Sequence, residues 1–166
     1  MKYLQLIVIL FGIIMNAHGE PLKVETDSFL IELPSDWSIR DISEHVELVG
    51  PNNEHLIISS YRIGGEGEEI ELQKIRSEFG KNITNTMTHA SGGFNLKIIT
   101  PLSKTLTPAG FPVWEIETET SDKLKFYNLY GSVGLKVALL ITLEGEIKYK
   151  NYSTEVLSAI KNIKWH

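Results

Sequence analysis

The run Leu135–Leu143, LKVALLITL, is almost wholly apolar, and Lys136 is its one charged residue. A short apolar run of this kind is typical of a strand that is buried on both faces. Such a strand needs neighbouring strands on either side and further structure packed above and below it. We therefore expect Leu135–Leu143 to be a central strand of a layered fold.

The segment Val113–Thr120, VWEIETET, alternates strictly between two sets of side chains. Successive residues of a β-strand point to opposite faces, so a period of two predicts a strand. One face carries the carboxylates of Glu115, Glu117 and Glu119, and the opposite face begins with Trp114.

The loop after this strand decides its pairing with the next run, KLKFYNLYG. A two-residue loop would place Glu119 opposite Leu124 and mix polar with apolar side chains. A three-residue loop, Ser121–Lys123, places Glu119 opposite Lys125. Cross-strand pairs of complementary chemistry stabilise a sheet, so we predict the three-residue loop.

Turn residues mark the other strands. Pro51 and Asn52 fit the centre of a tight turn between two apolar runs, which predicts a β-hairpin. The two arms of that hairpin are His45–Val49 and His55–Ile63. Two further stretches read as strands, Leu22–Leu33 and the Pro101-interrupted Phe94–Leu106.

Two segments have the period of an amphipathic helix. Glutamates open the first segment, and Leu72, Ile75 and Phe79 share its apolar face. The second is the C-terminal STEVLSAIKNIKW, capped by Ser153 or Asn151, with an apolar face made of Val156, Ile160 and Ile163. Residues 82–93 fit either a loop or a helix extension. The order of these strands and helices along the chain predicts an α+β domain, which is an antiparallel β-sheet of about six strands flanked by helices.

The stretch FLIELPSDW places a tryptophan just after a strand. Pro34 has no backbone N–H and ends the strand, and Asp36 can stabilise the turn that follows. We expect Trp37 to pack back over the sheet edge, close to the C-terminal helix and Trp165.

The N-terminus has the pattern of a signal peptide. Lys2 precedes an apolar core, Leu4–Met15, and Ala17 and Gly19 occupy the small-residue positions of a cleavage site. The apolar core is shorter than the roughly 20 residues that span a bilayer. We expect residues 1–19 to be a cleaved signal peptide and residues 20–166 to be one domain, periplasmic or secreted.

The chain has a net charge of −5 and no cysteine. The acidic balance and the scattered basic residues argue against nucleic-acid partners and against anionic lipid surfaces. The missing cysteine excludes a lipid-modified lipoprotein, and it suits a bacterial envelope better than a eukaryotic secretory route. We expect no stable membrane insertion after cleavage.

The order of elements, with the motifs LPSDW and AIKNIKW, resembles the PsbP-like fold. That group includes the PsbP photosystem subunit, the Mog family of Ran-binding proteins and DcrB-type bacterial envelope proteins. The resemblance covers nearly the whole chain after the signal peptide. It implies a sheet between helices, an α/β/α sandwich, and accessory or binding proteins without a shared set of catalytic residues.

The residues themselves show no strong catalytic or metal motif. The four histidines after the signal peptide are not spaced as ligand pairs, and GxSxG and HExxH are absent. The Gly-rich GGEGEE before the first helix lacks the Lys-Ser/Thr of a phosphate loop. We expect no enzyme activity, no cofactor and no resident metal.

Two sets of residues are candidates for binding. Glu115, Glu117 and Glu119 could meet a basic partner or a divalent cation, and a solvated strand face explains them equally well. Trp37 and Trp114 could line a ligand groove, with Trp165, Phe111 and Tyr127, although aromatic rings are more often core residues.

Three functions remain open. The first is a small exported protein that binds another protein, in one version an immunity or chaperone-like protein for an exported toxin. The second is a small-ligand or lipid carrier with a pocket between sheet and helix. The third is a hydrolase with an unrecognised site.

Overall fold

The computed structural model describes residues 19–43, 45–63, 74, 77, 78, 81, 82, 85, 96–150 and 152–166. The strands are β1 (Leu22–Glu25), β2 (Phe29–Leu33), β3 (Ser38–Ile42), β4 (Val46–Val49), β5 (His55–Arg62), β6 (Leu96–Leu106), β7 (Pro112–Thr120), β8 (Lys125–Val133), β9 (Val137–Glu146) and β10 (Lys164–Trp165). A 3₁₀ turn (Ile147–Tyr149) precedes helix α1 (Tyr152–Lys161).

Seven strands form one antiparallel sheet in the order β3-β4-β5-β9-β8-β7-β6. β9 lies at its centre, and Leu139, Ile141 and Leu143 are at most 1% exposed. The position predicted from the apolar run Leu135–Leu143 is thereby confirmed, with Leu135 itself in the preceding turn.

A second, three-stranded sheet has the order β1-β2-β10. Its buried residues and those of α1 pack with the inner face of the large sheet into one apolar core. The predicted apolar face is confirmed for Val156 and Ile160, which are buried on α1, and Ile163 is buried just beyond the helix end. The predicted extent of that helix is wrong, since Lys164 and Trp165 leave it to pair with β2.

The antiparallel sheet is confirmed, and the described part of the chain is richer in β-structure than the expected helix-flanked sheet. It contains ten strands in two sheets and one helix with full bounds. The predicted first helix lies mostly outside the described residues. Positions 74, 77 and 78, which lie within the predicted helix, are helical and exposed, and so are positions 81, 82 and 85. Within the described residues, no helix is both long and apolar enough to cross a membrane.

The β4–β5 hairpin forms around the predicted turn. The backbone N–H of Asn53 donates to the Gly50 carbonyl at 3.1 Å, with Pro51 and Asn52 between them. Asn53 then takes a positive φ of 63°, a conformation that asparagine tolerates better than most residues.

The β7–β8 loop differs from its prediction by one residue. Glu119 pairs with Phe126, not with Lys125, so the loop has four residues, Ser121–Leu124. Lys123 adopts a positive φ of 58°, and the Asp122 carboxylate accepts hydrogen bonds from the Thr120 hydroxyl and the Leu124 N–H. These hydrogen bonds lower the pKa of Asp122.

Edge strand β6 passes through Pro101 without ending. Its register against β7 shifts twice, between Ile98 and Thr100 and between Thr100 and Ser103. Proline cannot donate to a ladder, so it is tolerated on an edge strand or at a bulge. The predicted interruption is therefore a pair of irregularities in one long strand.

Candidate functional site

The acidic residues of β7 lie on the face that packs toward α1. Glu115 pairs with Tyr130 and Glu119 with Phe126, and both aromatic residues are at most 1% exposed. The three carboxylates therefore lie at the margin of the core. On its other side, Glu119 pairs with Lys97 of β6.

Two of these glutamates are paired with lysines of the same chain. Lys161 of α1 approaches Glu115 at 3.6 Å, and Lys150 approaches Glu117 at 3.2 Å. The Thr100 hydroxyl also donates to Glu117 at 2.9 Å. The side chains of Glu115 and Glu117 are only 13% and 22% exposed. These two carboxylates thus join β7 to the C-terminal part of the chain.

A buried polar pair lies beside the glutamates. The Asn128 side-chain amide donates to the Tyr130 hydroxyl at 3.1 Å, and both residues are at most 1% exposed. Burial raises the pKa of Tyr130 far above its usual value, and the nearby Glu115 and Glu117 carboxylates raise it further. Tyr130 therefore keeps its proton to a higher pH than an exposed tyrosine does. Among the described residues, no group of His, Cys, Asp and Glu could hold a metal ion.

Trp37 is a core residue, 4% exposed, that follows the turn after β2. Its backbone N–H donates to the Pro34 carbonyl at 3.2 Å. A Cβ at Gly50 would lie 3.0 Å from the indole, so the β4–β5 turn packs closely on the ring. The buried Glu54 lies in the same place and accepts hydrogen bonds from the N–H and side-chain amide of Asn52.

Trp114 belongs to a separate cluster on the opposite face of the large sheet. It is 6% exposed and packs with Ile63, Ile116, Val133 and Ala138. The Lys104 ammonium lies 5.4 Å from the centre of its ring.

Glu115, Glu117 and Glu119 thus share one face of β7 as predicted, whereas Trp37 and Trp114 belong to different clusters and form no common groove. Trp37 lies next to the β3 end of the large sheet, and Trp114 lies on the strand next to the opposite edge. Trp165 packs instead on Phe29 and Phe111, with ring centres 6.3 Å and 5.8 Å away.

A groove of ≈ 470 Å³ lies between β2 and α1. Leu33, Pro34 and Ala159 contribute its apolar lining. Its polar lining includes Glu155 and an ion pair between Lys164 and Glu32, 3.3 Å apart. Its position matches the predicted pocket between sheet and helix.

One group of exposed apolar side chains was not predicted from the sequence. Leu106 is 65% exposed and Leu135 is 47% exposed, and both lie where a strand meets a turn. Leu124, in the β7–β8 loop, is 66% exposed. The others are Ile98 and Ile99 of β6. The signal in the sequence is a leucine placed directly beside turn residues, as in LTPAG and GLK.

No family model matches this chain, and no curated protein matches it. Among solved structures, the solution structure of cyanobacterial PsbP (CyanoP) from Synechocystis sp. PCC 6803 superposes with a TM-score of 0.60. The alignment covers 95% of this chain and 99% of that chain, at 11% sequence identity. The resemblance noted from LPSDW and AIKNIKW is confirmed at the level of the fold.

Proposed function

We propose that this chain, which has the PsbP-like fold, is a non-enzymatic protein that acts by binding another protein. The observation that supports this most is the exposure of Leu106 and Leu135 at one end of the large sheet. Large apolar side chains exposed on one part of a protein surface are a common feature of interaction sites.

The polar side chains around the glutamates of β7 are held by contacts within the chain, and this supports a non-catalytic role. Glu115 and Glu117 are held by lysines of the same chain, and the buried Tyr130 hydroxyl keeps its proton. A catalytic acid or nucleophile needs a tuned pKa and access to substrate. These groups are arranged for stability instead.

We also propose that the protein is exported, with residues 1–19 removed as a signal peptide, and that it works in the periplasm or outside the cell. An immunity or chaperone-like protein for an exported toxin is one specific form of this proposal. The mass of the exported protein tests the premise. Retention of residues 1–19 would contradict it.

Affinity capture tests the binding function. The full-length chain, expressed with a tag in its own cells, is recovered from the envelope fraction together with the proteins it retains. We expect one protein to be enriched in a fixed ratio to the bait. A bait recovered alone, at expression levels close to natural, would overturn the proposal.

A small-ligand carrier is the second candidate, and the groove between β2 and α1 favours it. Its volume falls within the range of small-molecule sites. Native mass spectrometry of the purified protein should then show an added mass, and Ala159→Phe, which fills the groove, should remove that mass. A clean apo mass for the unaltered chain would exclude this function.

A further inference from the structure

One end of the large sheet carries an apolar surface between two hairpins. β6 and β8 both finish there, because β6, β7, β8 and β9 are successive antiparallel strands. Leu106 and Phe111 flank the β6–β7 turn, and Leu135 lies in the β8–β9 turn. Since neighbouring strands are about 4.8 Å apart, β6 and β8 are about 10 Å apart. We call Leu106, Phe111, Leu135 and Trp165 the hairpin-end patch.

Hydrogen bonds hold both turns in place. In the β6–β7 turn, the Gly110 N–H donates to the Thr107 carbonyl at 2.9 Å, and the Phe111 N–H donates to the Thr107 hydroxyl at 2.9 Å. In the β8–β9 turn, the Gly134 N–H donates to the Val137 carbonyl at 2.9 Å. Trp165 packs on both Phe111 and Gly134 and so links the two turns. A surface held in this way loses little conformational freedom on binding.

In the described part of the chain, the exposed charges nearest the leucines are basic, although the chain as a whole carries −5. Arg62, Lys104 and Lys136 are exposed at this end of β5, β6 and β9. The exposed acids at this end in the described part of the chain are Glu25 and Asp27, which lie beyond Trp165 on the β1–β2 turn. The side of the patch that carries the leucines therefore complements an acidic ligand.

Resting on the proposed binding function, we propose that the hairpin-end patch binds an acidic segment of a partner protein that inserts a bulky apolar side chain between Leu106 and Leu135. Apolar anchors supply binding energy in such contacts, and complementary charge supplies orientation and association rate.

The other apolar surfaces fit a partner less well. On β6, Ile98 and Ile99 are exposed beside Pro101, which has no N–H, and beside two register shifts. Bulges and proline are the devices by which edge strands avoid pairing with another chain. A two-fold contact between copies of this chain would bring this basic surface, with Lys104 and Lys136, against the same basic surface of the second copy. An anionic bilayer would meet the repulsion of an acidic protein.

Selection of binders from a display library of random peptides tests this proposal. We expect the selected peptides to combine Asp or Glu with Leu, Phe or Trp. We expect the double substitution Leu106→Ser/Leu135→Ser to lower the affinity for a synthetic copy of such a peptide by about tenfold or more. Leu124→Ser is the matched control, since Leu124 and Leu106 are 66% and 65% exposed. The control variant should bind the peptide as tightly as the unaltered chain does. Raised salt should weaken peptide binding.

Other outcomes overturn the proposal. The first is a selection that enriches no peptide, and the second is a selection that enriches basic or uncharged peptides. The third is a peptide affinity that Leu106→Ser/Leu135→Ser leaves unchanged. Leucine-dependent binding to vesicles rich in phosphatidylglycerol, without peptide binding, would identify the patch as a membrane contact instead. If affinity capture finds a partner that Leu106→Ser/Leu135→Ser still retains, the binding function stands and this location is wrong.

Discussion

The indole of Trp165 lies directly on the backbone of Gly134. A Cβ at position 134 would fall 2.0 Å from the ring carbon Cε3, a distance that no side chain can accept. Two-residue β10 and the β8–β9 turn are therefore packed against each other without intervening atoms. This contact joins the C-terminus to the turn that carries Leu135.

Gly134→Ala should lower the free energy of unfolding by about 1–3 kcal/mol, because the added methyl group overpacks the contact with Trp165. Urea denaturation measures the change. Gly110→Ala is the control, since a Cβ there meets nothing within 4 Å and its cost arises only from the positive φ of 85°. Equal destabilisation by both substitutions would show that the Trp165 contact is not a tight one.

Trp37→Ala should lower the free energy of unfolding by about 3–5 kcal/mol, as expected for removing a large buried ring. Trp37→Phe, which keeps part of the ring, should cost less. Denaturant titration of both variants checks the order. Unchanged stability together with lost partner capture would instead make Trp37 a binding residue.

Tyr130 should make stability sensitive to alkaline pH. Its pKa is raised in the folded state, so its contribution is complete below the unfolded pKa of about 10. As the pH rises above that value, the unfolded chain loses the proton first and stability falls.

The alkaline effect is measured from the free energy of unfolding between about pH 8 and about pH 11. Tyr130→Phe removes the titrating hydroxyl, so the free energy of unfolding of this variant should decline less steeply across that range. Its value at about pH 8 should be lower than that of the unaltered chain, because the Asn128 amide loses its partner. Parallel declines for the two proteins would contradict the burial of this hydroxyl.

The glutamates of β7 should differ in their effect on stability. Glu117→Ala removes an ion pair with Lys150 and a hydrogen bond from Thr100, and should cost up to about 1 kcal/mol. Glu119→Ala should cost less, since no ion pair to Glu119 is found among the described residues. Chemical denaturation separates the two, and a larger cost for Glu119 would contradict the geometry.

The predicted role of the acidic face in binding is a separate question. It is answered by replacing Glu115, Glu117 and Glu119 together with alanine and repeating the affinity capture. Unchanged capture removes this face from the proposed contact surface.

Local rules predicted much of the fold. The central position of the Leu135–Leu143 run and the hairpin at Pro51–Asn52 were both predicted, because a long apolar run and turn chemistry leave few alternatives. The β7–β8 register did not follow, since it depends on Lys123 taking a left-handed conformation that lysine rarely adopts. That shift pairs Glu115 with Tyr130 and Glu119 with Phe126.

The small sheet was missed for another reason. The pairing of Lys164–Trp165 with β2 joins residues more than 130 positions apart, and the amphipathic period of the helix runs on into them. The hairpin-end patch is likewise a product of topology. Leu106 and Leu135 reach the same end of the large sheet only when four antiparallel strands are aligned.

Reconstitution of a complex from two purified proteins is the most direct test of the central claim, which is that this chain works by binding another protein. The captured partner and the full exported chain are mixed and their mass is followed by size-exclusion chromatography with light scattering. The account predicts a complex of fixed stoichiometry that requires no small-molecule ligand. Two separate peaks at concentrations well above those in the cell would contradict it.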